Sequence, residues 1–122
     1  MDQTKIIGMT IAVTDMHKMV AFYSKVFHLV FEEIEMYESK LSKTQIDAIE
    51  LLFCPAEIAR NTAKQNRHQL EFEVEDLDHT ISLVKMNDGT VMGEPSKDSY
   101  FVQVGIKDPD NNSIVIKQVL GI

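Results

Sequence analysis

Four polar side chains in this sequence fall at spacings that could do chemistry together. Glu50 sits in Ile49-Glu50-Leu51, and Gln69, Glu71 and Glu73 occupy alternate positions of Gln69-Leu70-Glu71-Phe72-Glu73. Alternate residues of an extended strand point to one side, so the second group would present an amide and two carboxylates on one face. Such a face can hold a cationic group, and a carboxylate beside a carbonyl compound can act as a general base. Glu50 is the candidate for that role, and Gln69 could orient a ligand through its amide. The plainer alternatives are that Glu50 pairs with Lys117 or water and that Gln69 bonds a neighbouring strand side chain. Three like charges gathered in one place are costly unless hydrated or paired. A wet cavity mouth or partial protonation is therefore expected, unless only the deepest position faces a pocket and the rest meet water.

The elements that must position these residues are legible from periodicity. In "IIGMTIAVTD", Met9, Ile11 and Val13 alternate with Gly8, Thr10 and Ala12, which is the pattern of a strand with one apolar face. Asp15, or Thr14 before it, then caps a helix through Phe27 whose stripe is Met16, Met19, Val20, Tyr23, Val26 and Phe27. "LVFEEIEMYE" and "KLSKTQID" read as a hairpin and "AIELLFC" as a strand that Pro55 ends. "PAEIARNTAKQNR" reads as a connection with room for one helical turn. The pattern then repeats. Val13-Thr14-Asp15-Met16 returns as Val74-Glu75-Asp76-Leu77, half of the 122 residues further on, and Val20 falls on Ile81. After a helix carrying Leu77, Ile81 and Val84, three strand candidates follow in "TVMGEP", "SYFVQVGIKD" and "NNSIVIKQV".

The expectation is an α+β fold of two β-α-β-β-β modules, about 5–54 and 68–120, joined by a linker at about 55–67 in a single domain. Each curled sheet would carry its helix outside and form a cup inside. Gly8, Thr10, Ala12, Glu50, Leu52, Gln69, Glu71, Glu73, Ser113, Val115 and Lys117 would face the cup. Met9, Ile11, Val13, Ile49, Leu51, Phe53, Leu70, Phe72, Val74, Ile114 and Ile116 would face the helices.

Composition narrows the partners. A chain of 122 residues suits one domain that buries roughly 65–70% of its unfolded surface. No apolar run approaches the ~18 residues of a membrane span, and no secretory signal is visible at Met1, so no membrane partner is expected and cytoplasmic residence is the default. The net charge of −7 without a basic cluster argues against nucleic acid. Acidity could suit a cationic ligand, although net charge also serves solubility alone. A single cysteine excludes an intrachain disulfide.

Taken together, "TIAVTDMHKMVAFYSKVF", its echo "LEFEVEDLDHTISLVKMNDG" and the turn and strand "KDPDNNSIVIKQ" resemble the vicinal oxygen chelate superfamily. That group contains glyoxalase I, fosfomycin-resistance proteins, extradiol dioxygenases and bleomycin-resistance proteins. The resemblance covers essentially the whole chain. Asn111 stands where the usual DPDGN turn has Gly, a mild departure because Asn tolerates positive φ. In metal-dependent members a divalent cation is held by side chains from four strands, and the matching positions here are Gly8, Glu50, Gln69 and Val115. Only Glu50 and Gln69 could ligate. A glycine offers no donor, and a valine puts apolar surface where a cation needs solvation. No cofactor is therefore expected, and a divalent metal would have to rest on Glu50 and Gln69.

The resemblance thus implies a metal-independent small-molecule binding protein similar to bleomycin-resistance proteins, expected as a homodimer whose cavity takes a polar or cationic ligand. Thr10, Glu50, Leu52, Gln69, Glu71, Val115 and Lys117 would line that cavity. The alternative is an enzyme, a glyoxalase-like lyase, isomerase or dioxygenase. Its metal site would be rebuilt around Glu50 and Gln69 with His68 or a residue of a second subunit, or Glu50 would work as a metal-free base. A regulatory or scaffolding subunit without a ligand is a third reading. His17 and His79 are expected on helix surfaces, and His28 at the end of the first helix. His68 would exchange faces with Gln69 if the strand bulged. Cys54 reads as a small buried filler. The methionines at 9, 16, 19, 36, 86 and 92 read as core packing, and Tyr100 and Phe101 could either stack on a ligand or pack.

Overall fold

A computed structural model describes residues 6–59, 63–64 and 68–121. The first module runs β1 (Gly8–Val13), α1 (Met16–Phe27), β2 (Glu32–Met36), β3 (Ser39–Ile46) and β4 (Ile49–Pro55). One turn of helix, α2 (Ala56–Ala59), follows in the connection. The second module runs β5 (Leu70–Glu73), α3 (Leu77–Met86), β6 (Thr90–Lys97), β7 (Phe101–Lys107) and β8 (Ser113–Val119). Each module makes a four-stranded mixed sheet, ordered β1-β4-β3-β2 and β5-β8-β7-β6. In both, the first strand pairs in parallel with the last and the remaining pairs are antiparallel. The α+β class and the repeated β-α-β-β-β order expected from periodicity are what the chain adopts.

The two helices start by the same device. Asp15 is extended at φ −130°, and its carboxylate accepts the Lys18 N–H at 3.1 Å; Asp76, at φ −136°, does the same for the His79 N–H at 3.1 Å. A capping carboxylate satisfies N–H groups that have no partner within the helix. Asp15, not Thr14, is the cap of α1. His28 ends α1 through its backbone: it takes the left-handed region at φ 59° and its N–H turns back to the Tyr23 carbonyl. Its imidazole plays no part in that bond.

Burial follows the strand alternation. Val13, Leu51, Phe53, Ile114 and Ile116 are buried beneath the helices, and Met19, Phe22, Tyr23, Val26, Leu77 and Val84 meet them from above in one core shared by both modules. Aromatic rings carry the contact across the module boundary. Phe27 of α1 stacks on Phe72 of β5 with centroids 4.0 Å apart, and Tyr23 of α1 meets the same Phe72 edge-on at 6.5 Å. The expected apolar stripe of α1 omitted Phe22, which is wholly buried. Methionine behaves less uniformly than expected: Met19 is in the core, but Met36, Met86 and Met92 are exposed, so core packing does not account for them. Cys54 is buried and free, and burial raises its thiol pKa further, with a smaller push from Glu57. That suits a filler better than a nucleophile.

Gly89 is the tightest point of the core. Its N–H donates to the Val84 carbonyl at 3.0 Å, and a methyl group there would lie 2.5 Å from Phe22 Cε2 and 2.7 Å from Val84 Cγ1. Both neighbours are fully buried and have nowhere to retreat. Gly89→Ala is expected to destabilise the fold by about 1–3 kcal/mol through overpacking. The measurement is the urea midpoint, which falls at unchanged m-value; an unchanged midpoint would contradict the packing described.

Candidate functional site

Strand pairing fixes which residues share the face opposite the helices. In the first module Gly8 is paired with Glu50 and Thr10 with Leu52; in the second, Glu71 with Val115 and Glu73 with Lys117. Residues expected to face the cup are thus neighbours within each module. Glu50, Thr10, Gln69, Glu71 and Glu73 are exposed on the single chain, while Leu52, Val115 and Lys117 are half-buried. Gly8 places no side chain beside Glu50, which leaves room next to that carboxylate. In the second module the Gln69 amide donates to Ser113 Oγ at 2.7 Å, so Gln69 shares the face of Ser113. Lys117 does not pair with Glu50. Its Nζ lies 3.2 Å from Glu71 Oε1 and 4.3 Å above the Phe101 ring, held by an ion pair and a cation–π contact. Phe101, open to either role from sequence, thus packs under a lysine, while Tyr100 is exposed.

The four positions that would hold a divalent cation can be judged by their donors. Gly8 brings none, and a Cβ there would already stand 3.3 Å from the Glu50 carbonyl. Val115 brings a hydrocarbon, and Gln69, whose NH2 donates to Ser113 Oγ, brings one neutral carbonyl oxygen. One carboxylate and one amide do not fit a hard cation that takes six or more oxygens or a zinc that takes three protein ligands. Among the described residues no three His, Cys, Asp or Glu side chains gather at one point.

A second constellation, which sequence reasoning missed, sits where the modules meet. In the sequence alone, the turn between β7 and β8 reads only as the lead-in to the last strand. Its Asp108 is 3% exposed and its carboxylate accepts four hydrogen bonds: from the Asp110 and Asn112 N–H groups, from Asn112 Nδ2, and from the Tyr23 hydroxyl of α1 at 2.9 Å. Asn111 makes the turn at φ 70°, in the region where the family's glycine would stand. Asp110 reaches the other way and accepts both the N–H and the hydroxyl of Thr14, at the entrance to α1. Two signals pointed here: acids and an amide spaced for Asx turns, and a tyrosine on an apolar helix stripe, whose hydroxyl must find a partner when buried.

Burial pushes the Asp108 carboxyl up, against the pull of its hydrogen bonds, and burial together with the Asp108 charge holds the Tyr23 phenol well above its usual range. For Tyr23 the sign is definite. The unfolded chain releases this proton near pH 10 while the folded chain keeps it, so stability is intact below that pH and declines above it. A melting temperature that falls between pH 9 and 11, and falls less in Tyr23→Phe, is the expected result. Parallel slopes in the two proteins would contradict it.

Beside this network lies a cavity of about 440 Å³ along the outer edge of β1. Met9, Ile11, Leu70 and Ile114 give it apolar walls, and Thr14, Tyr23, Asp110 and Asn112 a polar end. Of the seven residues expected to line a ligand cavity only Thr10 borders it; Glu50, Leu52, Gln69, Glu71, Val115 and Lys117 lie elsewhere. His68, weighed against Gln69, borders this cavity as well.

Comparison with known proteins agrees with the architecture. No curated protein gives a significant match to the chain. Among solved structures, a glyoxalase/bleomycin resistance protein/dioxygenase family enzyme from Burkholderia phytofirmans superposes with a TM-score of 0.75 at 23% identity, covering 96% of this chain and 100% of that one. An antibiotic binding protein from a Streptomyces species superposes at 0.72 with 16% identity, covering 98% and 99%. The fosfomycin resistance protein FosX from Listeria monocytogenes superposes at 0.70 with 16% identity, covering 97% and 93%. At these identities the likeness is one of fold. Residues 5–116 match the sequence model of a single family, and the chain belongs to it: the glyoxalase/bleomycin resistance protein/dioxygenase superfamily.

Proposed function

We propose that this protein binds a small polar or cationic molecule, without a metal, on the cup face formed by the two sheets. The observation that carries the reading is the make-up of that face. Glu50 stands beside the side-chain-free Gly8, and Glu71 and Glu73 share one side of β5, while strand pairing places Lys117, Lys107 opposite Ser113 and Lys43 opposite Leu52 on the same faces. Half-buried Leu52 and Val115 supply apolar floor next to these carboxylates. A ligand with an apolar body and a cationic or donor-rich head matches both features, since a carboxylate hydrogen-bonded to a charged donor contributes roughly 1.5–3 kcal/mol. Similarity in fold to an antibiotic binding protein supports a binding role. A homodimer completes the site by closing a second copy over a face that is open in one chain.

A thermal-shift screen of cationic, neutral and anionic small molecules tests this. Stabilisation by cationic or polar neutral compounds is expected, growing with ligand concentration as linkage requires. Stabilisation confined to anions would contradict the acidic face as the site.

A further inference from the structure

The cavity along β1 is built differently from the cup face, and we propose that it is a second ligand site, shaped for a small hydrophobic amine. Its volume of about 440 Å³ falls within the roughly 300–1,000 Å³ of small-molecule pockets. Ile11, Leu70 and Ile114 offer hydrocarbon to a hydrocarbon body.

The polar end offers acceptors. Asp110 takes the Thr14 N–H and hydroxyl and forms no ion pair among the described residues, and its carboxylate borders the cavity. Asn112 commits its Nδ2 to Asp108 Oδ2 at 2.9 Å, which fixes the amide and leaves its side-chain carbonyl as a further acceptor. β1 is an edge strand of its sheet, and its outer edge pairs with no strand among the described residues. An ammonium head matches these acceptors, and a carboxylate head would meet the charge of Asp110. Lys64 and His68 also border the cavity, but both are solvent-exposed and mark its rim, where water screens them.

The probe is 3-phenylpropylamine, with 3-phenylpropionate as its anionic counterpart, titrated into the intact protein and followed by methyl NMR. The expected result is saturable shifts at the Ile11, Leu70 and Ile114 methyls with the amine and none with the carboxylate. Asp110→Asn should weaken the amine by about tenfold, the loss of one charge-assisted hydrogen bond. Ala56→Leu, which fills the cavity from α2 and leaves the turn intact, should abolish the shifts. Shifts at Leu52 and Val115 alone would overturn this site while leaving the cup face in place. Equal response to amine and carboxylate, or no response at the cavity methyls, would overturn it as well.

Discussion

Asp108→Ala is expected to lower the free energy of unfolding by about 3–4 kcal/mol, the largest loss from any single substitution outside the apolar core. The carboxylate of the 3%-exposed Asp108 receives four donors, and its removal leaves the Tyr23 hydroxyl, in a residue 1% exposed, without its acceptor. A buried donor stripped of its partner costs about 1–3 kcal/mol. The turn also loses the bonds that hold Asn112 at the start of β8. Against a total of roughly 5–15 kcal/mol for a domain, that is a large share. Tyr23→Phe removes only one of the four bonds and is expected to cost about 1–2 kcal/mol. The double variant should cost less than the sum, because the two groups share a bond. Equilibrium urea unfolding checks all three. A loss under 1 kcal/mol for Asp108→Ala would show that the turn does not join the modules.

Glu50→Gln is the second large effect, and it rests on the proposed function. If Glu50 meets the cationic head of the ligand, removing its charge while keeping its shape should weaken binding about 10- to 100-fold. Stability should change little, since Glu50 is exposed and takes part in none of the ion pairs found among the described residues. Glu71→Gln should have a smaller effect, because Lys117 already offsets that charge at 3.2 Å. A Glu50→Gln protein that binds the same ligands with the same affinity would remove Glu50 from the site.

Much of the fold was legible because the local signals agreed with one another. The caps Asp15 and Asp76, the alternation from Met9 to Val13 and from Leu70 to Val74, and the half-length repeat all pointed to one architecture. A period of two also assigns each strand residue to a face, and the strand pairing then sets Gly8 beside Glu50 and Glu71 beside Val115. What the sequence concealed depends on contacts far apart in the chain. Tyr23 and Asp108 are 85 residues apart, and Thr14 and Asp110 are 96. No local periodicity encodes such pairs. The partner of Lys117 was hidden by a similar limit, since Glu50 and Glu71 share the same apparent face and only the pairing of β5 with β8 decides between them.

In the proposed function the cup face binds its ligand without a metal. Isothermal titration of the strongest cationic compound from the thermal-shift screen, in EDTA and again with added Mn²⁺ or Ni²⁺, tests it most directly. The expected result is one affinity under both conditions, lost in Glu50→Gln. Binding that appears only with the metal, or a metal that binds stoichiometrically and whose affinity falls in Glu50→Gln and Gln69→Ala, would contradict it.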